Sequence, residues 1–232
     1  MNVMKASRKT YVDMLKKIKP HKNIIAALEK FDRADFVDPL FHETVYKDEC
    51  VPIGAGERTE KPSTLVRMIQ YAQITKKARI LEIGTGSGYS TALLAEISHE
   101  VISIEIREEL AERAKVRHER IRIRNSRFFA GDGTEAGEEL GLFDAIFVWG
   151  ACFARPLLLA SILKPGGRMV FPMGPAHQQQ IAVYANDADN PRTCFHEFCF
   201  FPPIQGRYGT EIMHRDTVMA NFSLESEKEN NS

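Results

Sequence analysis

Three glycines at alternate positions, Gly84, Gly86 and Gly88, separate an apolar run from a stretch with apolar residues at helical spacing. The run before them, Arg79-Ile80-Leu81-Glu82-Ile83, suits a strand buried on both faces. The stretch after them, Thr91-Ala92-Leu93-Leu94-Ala95-Glu96-Ile97, suits a helix. Strand, glycine turn and helix start make a corner whose backbone takes positive φ and admits a ligand with no Cβ in the way. Free N–H groups at the helix start add to its binding capacity. Glu82 precedes the turn, and Glu105 ends a second apolar run, Val101-Ile102-Ser103-Ile104. Glu105 lies about twenty residues on, at a strand tip, where a carboxylate can accept both hydroxyls of a ribose. The bland alternative is a turn that only joins strand to helix, and Glu105 at that spacing argues against it.

The alternation of strands and helices from 79 to 171 predicts an α/β doubly wound, mostly parallel sheet. Strands are expected at 79–83, 101–105, 121–129, 143–149 and 168–171, with helices at 89–98, 107–117 and 154–163. The segments 180–184 and 195–201 read as a closing antiparallel pair, leaving one antiparallel strand near the end of the sheet. Upstream, Tyr11, Met14, Leu15 and Ile18 recur at helical spacing, Pro20 interrupts, and Ile24, Ile25, Leu28 and Phe31 resume. Val51–Gly56 reads as too rich in proline and glycine for regular structure. Thr59 is expected to cap a helix with Pro62 in its first turn, running to about Thr75. The whole reads as one domain over 1–222, an N-terminal cover (1–78) on a cofactor-binding core (79–222). A polar tail over 223–232 is expected to be disordered.

With 232 residues and 44% hydrophobic content, the chain can bury one large core. Lys plus Arg equals Asp plus Glu at 31 each, so no global charge draws it to nucleic acid or an anionic membrane. No apolar segment reaches the about 18 residues of a membrane span. The N-terminus lacks the apolar core of a signal peptide. Cys50, Cys152, Cys194 and Cys199 form no C-x-x-C pair and read as reduced thiols in a cytoplasmic protein. No cysteine-histidine set completes a metal site. Lys115, Arg117, His118, Arg120, Arg122, Arg124 and Arg127 form a basic run. It reads as a solvated edge, since no aromatic stacking platform accompanies it. Trp149 and Cys152 follow the fourth strand, where cofactor pockets open in such folds; packing at the rim is the alternative.

A dinucleotide fingerprint reads G-x-G-x-x-G, whereas this loop reads G-x-G-x-G and runs into Tyr89. With Glu82 before it, the loop resembles motif I of the class I S-adenosylmethionine-dependent methyltransferases. Further segments narrow the match: Ala26–Phe31 with Arg33–Val37, Pro52-Ile53-Gly54-Ala55-Gly56, Gly131-Asp132-Gly133, Phe143–Ile146, and Leu163–Arg168 before Phe171-Pro172-Met173-Gly174. From about residue 7 to about residue 210 the chain resembles the protein-L-isoaspartate O-methyltransferases. That resemblance implies a seven-stranded Rossmann-like sheet, S-adenosylmethionine as cofactor, and methylation of isoaspartyl carboxylates in damaged proteins. The partner it implies is a protein or peptide carrying isoaspartate, met by a monomer or weak homo-oligomer, with no nucleic acid and no membrane. It implies a cofactor site of Glu82, Gly84, Thr85, Gly86, Ser87, Gly88, Glu105, Ile106, Gly131, Asp132 and Gly133. Within it the Gly84–Gly88 backbone faces the methionine part, Glu105 the ribose and Asp132 the adenine amino group. Gly56 through Pro62 covers the methyl donor, with Arg58, Thr59 and Glu60 as the catalytic candidates.

The acceptor loop departs from the family. Where the family pattern is Gln-Thr-Ile-Ser-x-Pro, this chain has Glu57-Arg58-Thr59-Glu60-Lys61-Pro62, so Arg58 stands at the threonine position and Glu60 at the active-site serine position. A serine hydroxyl donates to a carboxylate, and an ionised glutamate cannot. Glu60 escapes repelling an acceptor carboxylate by pointing to solvent, by pairing with Arg58 or Lys61, or by holding a proton. Arg58 can replace the lost donor by a charge-assisted contact. Three functions therefore compete: a methyltransferase of the isoaspartate type, or one with another acceptor; a cofactor-binding protein without catalysis; and a nicotinamide-dependent oxidoreductase, which the loop spacing disfavours.

Overall fold

The computed structural model describes residues 2–209, with side chains from residue 8 onward. The tail expected over 223–232 lies outside the described residues. A seven-stranded sheet holds β3 (Arg79–Ile83), β4 (Glu100–Glu105), β5 (Ser126–Ala130), β6 (Phe143–Val148), β7 (Leu163–Met173), β8 (Gln180–Ala185) and β9 (Arg192–Phe198), and a two-stranded hairpin precedes it, formed by β1 (Pro52–Gly54) and β2 (Glu57–Arg58). The helices are α1 (Asn2–Lys16), α2 (Lys22–Lys30), α3 (Pro62–Tyr71), α4 (Tyr89–Ile97), α5 (Glu108–Arg120) and α6 (Leu157–Ser161). The strand order is β5-β4-β3-β6-β7-β8-β9. β8 pairs antiparallel with both β7 and β9 and is the one reversed strand of the sheet. This is the doubly wound, mostly parallel architecture expected from the sequence.

β3 lies inside the sheet between β4 and β6, with Leu81 opposite Ile102 on one side and Ile146 on the other. Its side chains alternate between two cores. Ile80 joins Leu15, Leu28, Leu65, Met68, Leu93 and Phe147 beneath α1, α2, α3 and α4. Leu81 and Ile83 join Ile102, Phe143, Ile146, Met169 and Phe171 on the opposite face. A parallel strand buried on both faces reads as a continuous apolar run, which is why the sequence shows one here. A third cluster of Ala34, Val37, Val45, Val51, Ile53 and Leu110 joins the N-terminal cover to α5.

Four local expectations are corrected. Residues 51–56 are not irregular: Pro52 pairs with Arg58 and Gly54 with Glu57 across a tight hairpin. Residues 121–125 are not strand, because α5 runs on to Arg120 and Arg122 turns the chain at φ 62°. There Ile121 and Ile123 pack onto the core instead of alternating along a ladder. The helix expected over 154–163 is confined to Leu157–Ser161, behind Pro156. Thr59 does not cap α3; Lys61 occupies the cap position and the helix ends at Tyr71.

Phe147 is fully buried on β6 and stacks on Trp149 at a centroid distance of 5.5 Å and 15° between planes. Phe147→Ala removes a large side chain from a close-packed layer and should cost about 3–5 kcal/mol. A urea midpoint close to that of the unsubstituted protein would contradict this packing.

Candidate active site

The turn after β3 is set by close packing as much as by the ligand it can hold. Gly88 sits at φ 83° at the start of α4. A Cβ there would lie 3.0 Å from the Ala114 Cβ and 3.3 Å from the His118 Nε2, so α5 reaches the turn only because Gly88 has none. His118 holds the turn from below, its ring nitrogens 2.8 Å from the Gly88 carbonyl and 2.8 Å from the Ser126 Oγ. Burial pushes its pKa down to about 4, so the ring is neutral at physiological pH.

Glu82 is fully buried beneath the same turn. Its Oε1 accepts from the Ser90 Oγ at 2.6 Å and the Trp149 Nε1 at 2.9 Å. Its Oε2 accepts from the Thr91 Oγ1 at 2.5 Å and the Ser103 Oγ at 2.7 Å. Burial raises its pKa, against the pull of these four donors. Since Ser103 gives its proton to Glu82, the Thr85 Oγ1 donates to the Ser103 Oγ at 2.5 Å. Glu82 and Thr85 thus brace the turn from within. The Ser87 Oγ accepts from the Tyr89 N–H at 3.3 Å, and its carbonyl accepts from Arg117.

Above the turn lies a cavity of about 380 Å³. Gly84, Gly86, Glu105, Ile106 and Gly133 line it from the core, and Glu57, Arg58, Thr59 and Glu60 line it from the acceptor loop. Glu105, at the tip of β4, accepts from the Gly86 N–H at 2.9 Å and the Arg107 N–H at 3.0 Å. Of the expected cofactor residues, Glu82, Thr85, Ser87, Gly88, Gly131 and Asp132 are not on the cavity wall. Asp132 accepts from the Thr134 N–H at 2.9 Å, the Thr134 Oγ1 at 2.6 Å and the Arg207 N–H at 2.5 Å. These bonds tie it to the chain near Arg207. Trp149 does line the cavity, while Cys152 lines a separate one of about 520 Å³.

Two contributors were not legible in the sequence. Arg33 is 2% exposed and gathers the acceptor loop around its guanidinium. Its Nη1 donates to the Val45 carbonyl at 2.8 Å; its Nη2 donates to the Glu49 carbonyl at 3.0 Å, the Thr59 Oγ1 at 2.7 Å and the Glu60 carbonyl at 3.3 Å. The second is the segment Phe200–Gln205, which closes the cavity. Buried Gln179 clamps it, accepting from the Phe201 N–H at 2.7 Å and donating to the Phe201 carbonyl at 3.0 Å. Only the pair Pro202-Pro203, an unlikely strand continuation, hints at it in the sequence.

Arg58 donates to the Cys50 carbonyl at 2.8 Å, and Glu57 pairs with Arg107 at 3.5 Å. Glu60 is half-buried on the cavity wall, and no ion pair to its carboxylate exists among the described residues. Burial is the main cause that lifts its pKa to about 7; the charges of Glu82 and Glu105 add to the rise, and its own backbone N–H and Arg33 oppose it. The basic run is partly structural: Arg117 holds the Ser87 carbonyl, His118 is internal, and Arg127 pairs with Glu100 at 2.6 Å.

The family model for Protein-L-isoaspartate(D-aspartate) O-methyltransferase (PCMT) matches residues 6–207. This chain belongs to that family. A protein-L-isoaspartate O-methyltransferase of Rhodopseudomonas palustris (strain BisB5) is 34% identical over 185 residues, covering 79% of this chain and 85% of the relative. One of Myxococcus xanthus (strain DK1622) is 41% identical over 152 residues, covering 66% and 72%. A solved protein-L-isoaspartate O-methyltransferase superposes with a TM-score of 0.75 at 26% identity, over 87% of this chain and 66% of that one. A Plasmodium falciparum structure of the same description, solved with S-adenosyl-L-homocysteine, shares the fold with a TM-score of 0.72 at 21% identity.

The buried guanidinium of Arg33 is the point at which this family member fixes its altered loop. Arg33→Ala leaves the buried Val45 carbonyl, the part-buried Glu49 and Glu60 carbonyls and the Thr59 hydroxyl each short of a donor, and should destabilise the protein by at least about 3 kcal/mol. Arg33→Lys cannot reproduce the planar fork and should recover only part of the loss. Full stability of Arg33→Ala in urea denaturation would show that the loop is held by other means.

Proposed function

We propose that this chain is an S-adenosylmethionine-dependent methyltransferase that esterifies the carboxylate of isoaspartyl residues in damaged proteins or peptides. The observation that carries this is the single cavity shared by Glu105, the glycine turn and the Gly56–Glu60 loop, in a member of this family. The cavity suits the cofactor. Each Glu105 oxygen uses one lone pair on a backbone N–H and keeps another for a ribose hydroxyl. Gly84, Gly86 and Gly133 give it a wall without side chains, and Ile106 a flat apolar surface. Asp132 Oδ2 accepts one bond, from the Arg207 N–H, and keeps a lone pair for the adenine amino group. Bound there, S-adenosylmethionine supplies a methyl group on a sulfonium, which the acceptor carboxylate oxygen attacks as the carbon–sulfur bond breaks.

The protein's share of the chemistry is alignment and exclusion of water. An isoaspartyl carboxyl with a pKa of about 3.9 is already ionised at neutral pH, so no general base is needed. Trp149 narrows the acceptor side, and Phe200–Gln205 covers it. The four cysteines are free and no described helix is long and apolar enough to cross a membrane, which supports a cytoplasmic enzyme acting on proteins of that compartment.

The test is methyl transfer from labelled S-adenosylmethionine to an isoaspartyl peptide and to its aspartyl isomer, beside calorimetric titration with S-adenosylhomocysteine. Methylation of the isoaspartyl peptide alone is expected. Cofactor binding without transfer to that peptide would leave a binding protein or another acceptor. Glu105→Ala removes a charged acceptor, an interaction of about 1.5–3 kcal/mol per bond, and should weaken S-adenosylhomocysteine at least about tenfold with the fold intact. An unchanged dissociation constant would take Glu105 out of the site.

A further inference from the structure

The acceptor loop presents a carboxylate where the reaction brings a second one, and no cation among the described residues forms an ion pair with it. Glu60 stands on the cavity wall, with Glu82 on β3 and Glu105 at the tip of β4 on the core side. Lys61, next in the chain, is exposed and off the cavity wall, and the nearby arginines are engaged by other groups. Arg33 is bound to the Val45, Glu49 and Glu60 carbonyls and the Thr59 hydroxyl; Arg58 holds the Cys50 carbonyl; Arg107 pairs with Glu57. The Cys50 thiol on the same loop is pushed up by burial and by Glu60 itself, so it stays neutral. The closing segment Phe200–Gln205 has no ionisable side chain, and Trp149 has its indole N–H on Glu82. An anionic acceptor entering this cavity is one carboxylate too many.

We propose that Glu60 acts as a carboxylic acid, donating its proton in a hydrogen bond to the acceptor oxygen that is not being methylated. It would stand in for the serine hydroxyl that the family pattern has at this position. This rests on the isoaspartyl assignment above. Two carboxyl groups held close in a poorly solvated space share one proton, because both cannot ionise without repulsion. The raised pKa of free Glu60 agrees with that geometry, and an arriving carboxylate raises it further. During transfer one acceptor oxygen forms the bond to the methyl carbon and the carbon–sulfur pair stays with sulfur. Glu60 keeps its proton throughout, so no base is needed and none is produced.

The signature is an activity that falls as pH rises. With a family-type serine the polar contact does not titrate in the working range. With Glu60, kcat/KM on an isoaspartyl peptide follows the protonated fraction of the free enzyme. The sign is fixed by the raised pKa: the competent form is full below about 7 and is lost above it. Between about pH 6 and about pH 9 the unsubstituted enzyme should lose roughly ninetyfold in kcat/KM, mostly in KM, because the ionised form repels the acceptor.

The experiment measures kcat and KM from pH 6 to pH 9 for the protein, Glu60→Gln and Glu60→Ser, with S-adenosylhomocysteine release as the readout. Release is preferred to ester formation because a methyl ester hydrolyses faster as pH rises. Calorimetric titration with S-adenosylhomocysteine at each pH reports that each variant is folded and binds cofactor. Glu60→Gln keeps a donor that does not titrate, and Glu60→Ser restores the hydroxyl. Both should give flat profiles, and Glu60→Ser should exceed the unsubstituted protein at pH 9. A fall with pH that is the same in all three proteins overturns the proposal, as does activity in the unsubstituted protein that is flat or rises with pH. Both results leave the isoaspartyl assignment intact. Absence of transfer to the isoaspartyl peptide in all three, at every pH and with cofactor bound, overturns that assignment and this proposal together.

Discussion

The carboxylate of Glu82 is the constraint on which the rest of the site depends. It is buried in an interior strand, where an apolar side chain is the cheaper choice, and a lone charge there is strongly unfavourable. Four donors from α4, β4 and the end of β6 converge on its two oxygens. Each donor is thereby fixed relative to the strand that leads into the glycine turn. Ser90 and Thr91 set where α4 begins, Ser103 sets the register beneath Thr85, and the indole of Trp149 is drawn into the cavity wall. A half-satisfied network would be worse than an apolar one, so the five side chains form one unit. The geometry that holds Gly84 and Gly86 open to the cavity is a consequence of that unit.

A second buried charge of opposite sign does the equivalent for the acceptor loop. Arg33 comes from a short helical turn in the N-terminal cover and reaches carbonyls at positions 45, 49 and 60 at once. A planar guanidinium can satisfy several acceptors in one plane, which a lysine cannot. The hairpin of β1 and β2 is therefore pinned at its base, and it turns at its exposed tip, where Ala55 has positive φ. The loop can carry residues as different as serine or glutamate at position 60 without losing its course, because the anchoring contact at that residue is to its carbonyl.

Periodicity made the sheet legible, and the alternate glycines with Glu105 made the corner so; the cofactor itself came from the family resemblance. β3, β4 and β6 are apolar runs of the length a doubly covered strand requires, and Glu105 ends β4 where the spacing put it. In the sequence Glu82 looks like a ligand, a carboxylate next to a glycine turn; in the fold its oxygens are taken by four internal donors. Its partners lie 8, 9, 21 and 67 residues away, and only the folded chain brings them together. Thr59 looked like a helix cap for the same reason: local spacing cannot see that Arg33, 26 residues earlier, takes its hydroxyl. The misplaced start of β5 is an ambiguity of period, since Ile121 and Ile123 satisfy an alternating pattern while packing from a turn. Phe200–Gln205 has no periodic signal at all; it is held by backbone bonds between Ala151 and residues Pro202 and Ile204.

The residues around the cavity also fit the charge change that the reaction demands. Methyl transfer from a sulfonium to a carboxylate joins a cation and an anion into two neutral products, so charge disappears on the way to the transition state. Hydrocarbon and aromatic walls such as Ile83, Ile104, Trp149 and Ile204 favour that loss, because opposite charges hold less of their solvation there than in water. An additional fixed charge would work against it by stabilising the charged starting state. Glu105 lines the other side of the cavity with both oxygens bonded to backbone N–H groups, and Glu82 is neutralised in effect by four donors. Glu60 has only its own backbone N–H and no ion pair among the described residues, and a proton gives it the neutrality that donors give the others. The same low polarity that promotes the transfer is what raises its pKa, so the substitution at position 60 and the chemistry of the cavity are two effects of one environment.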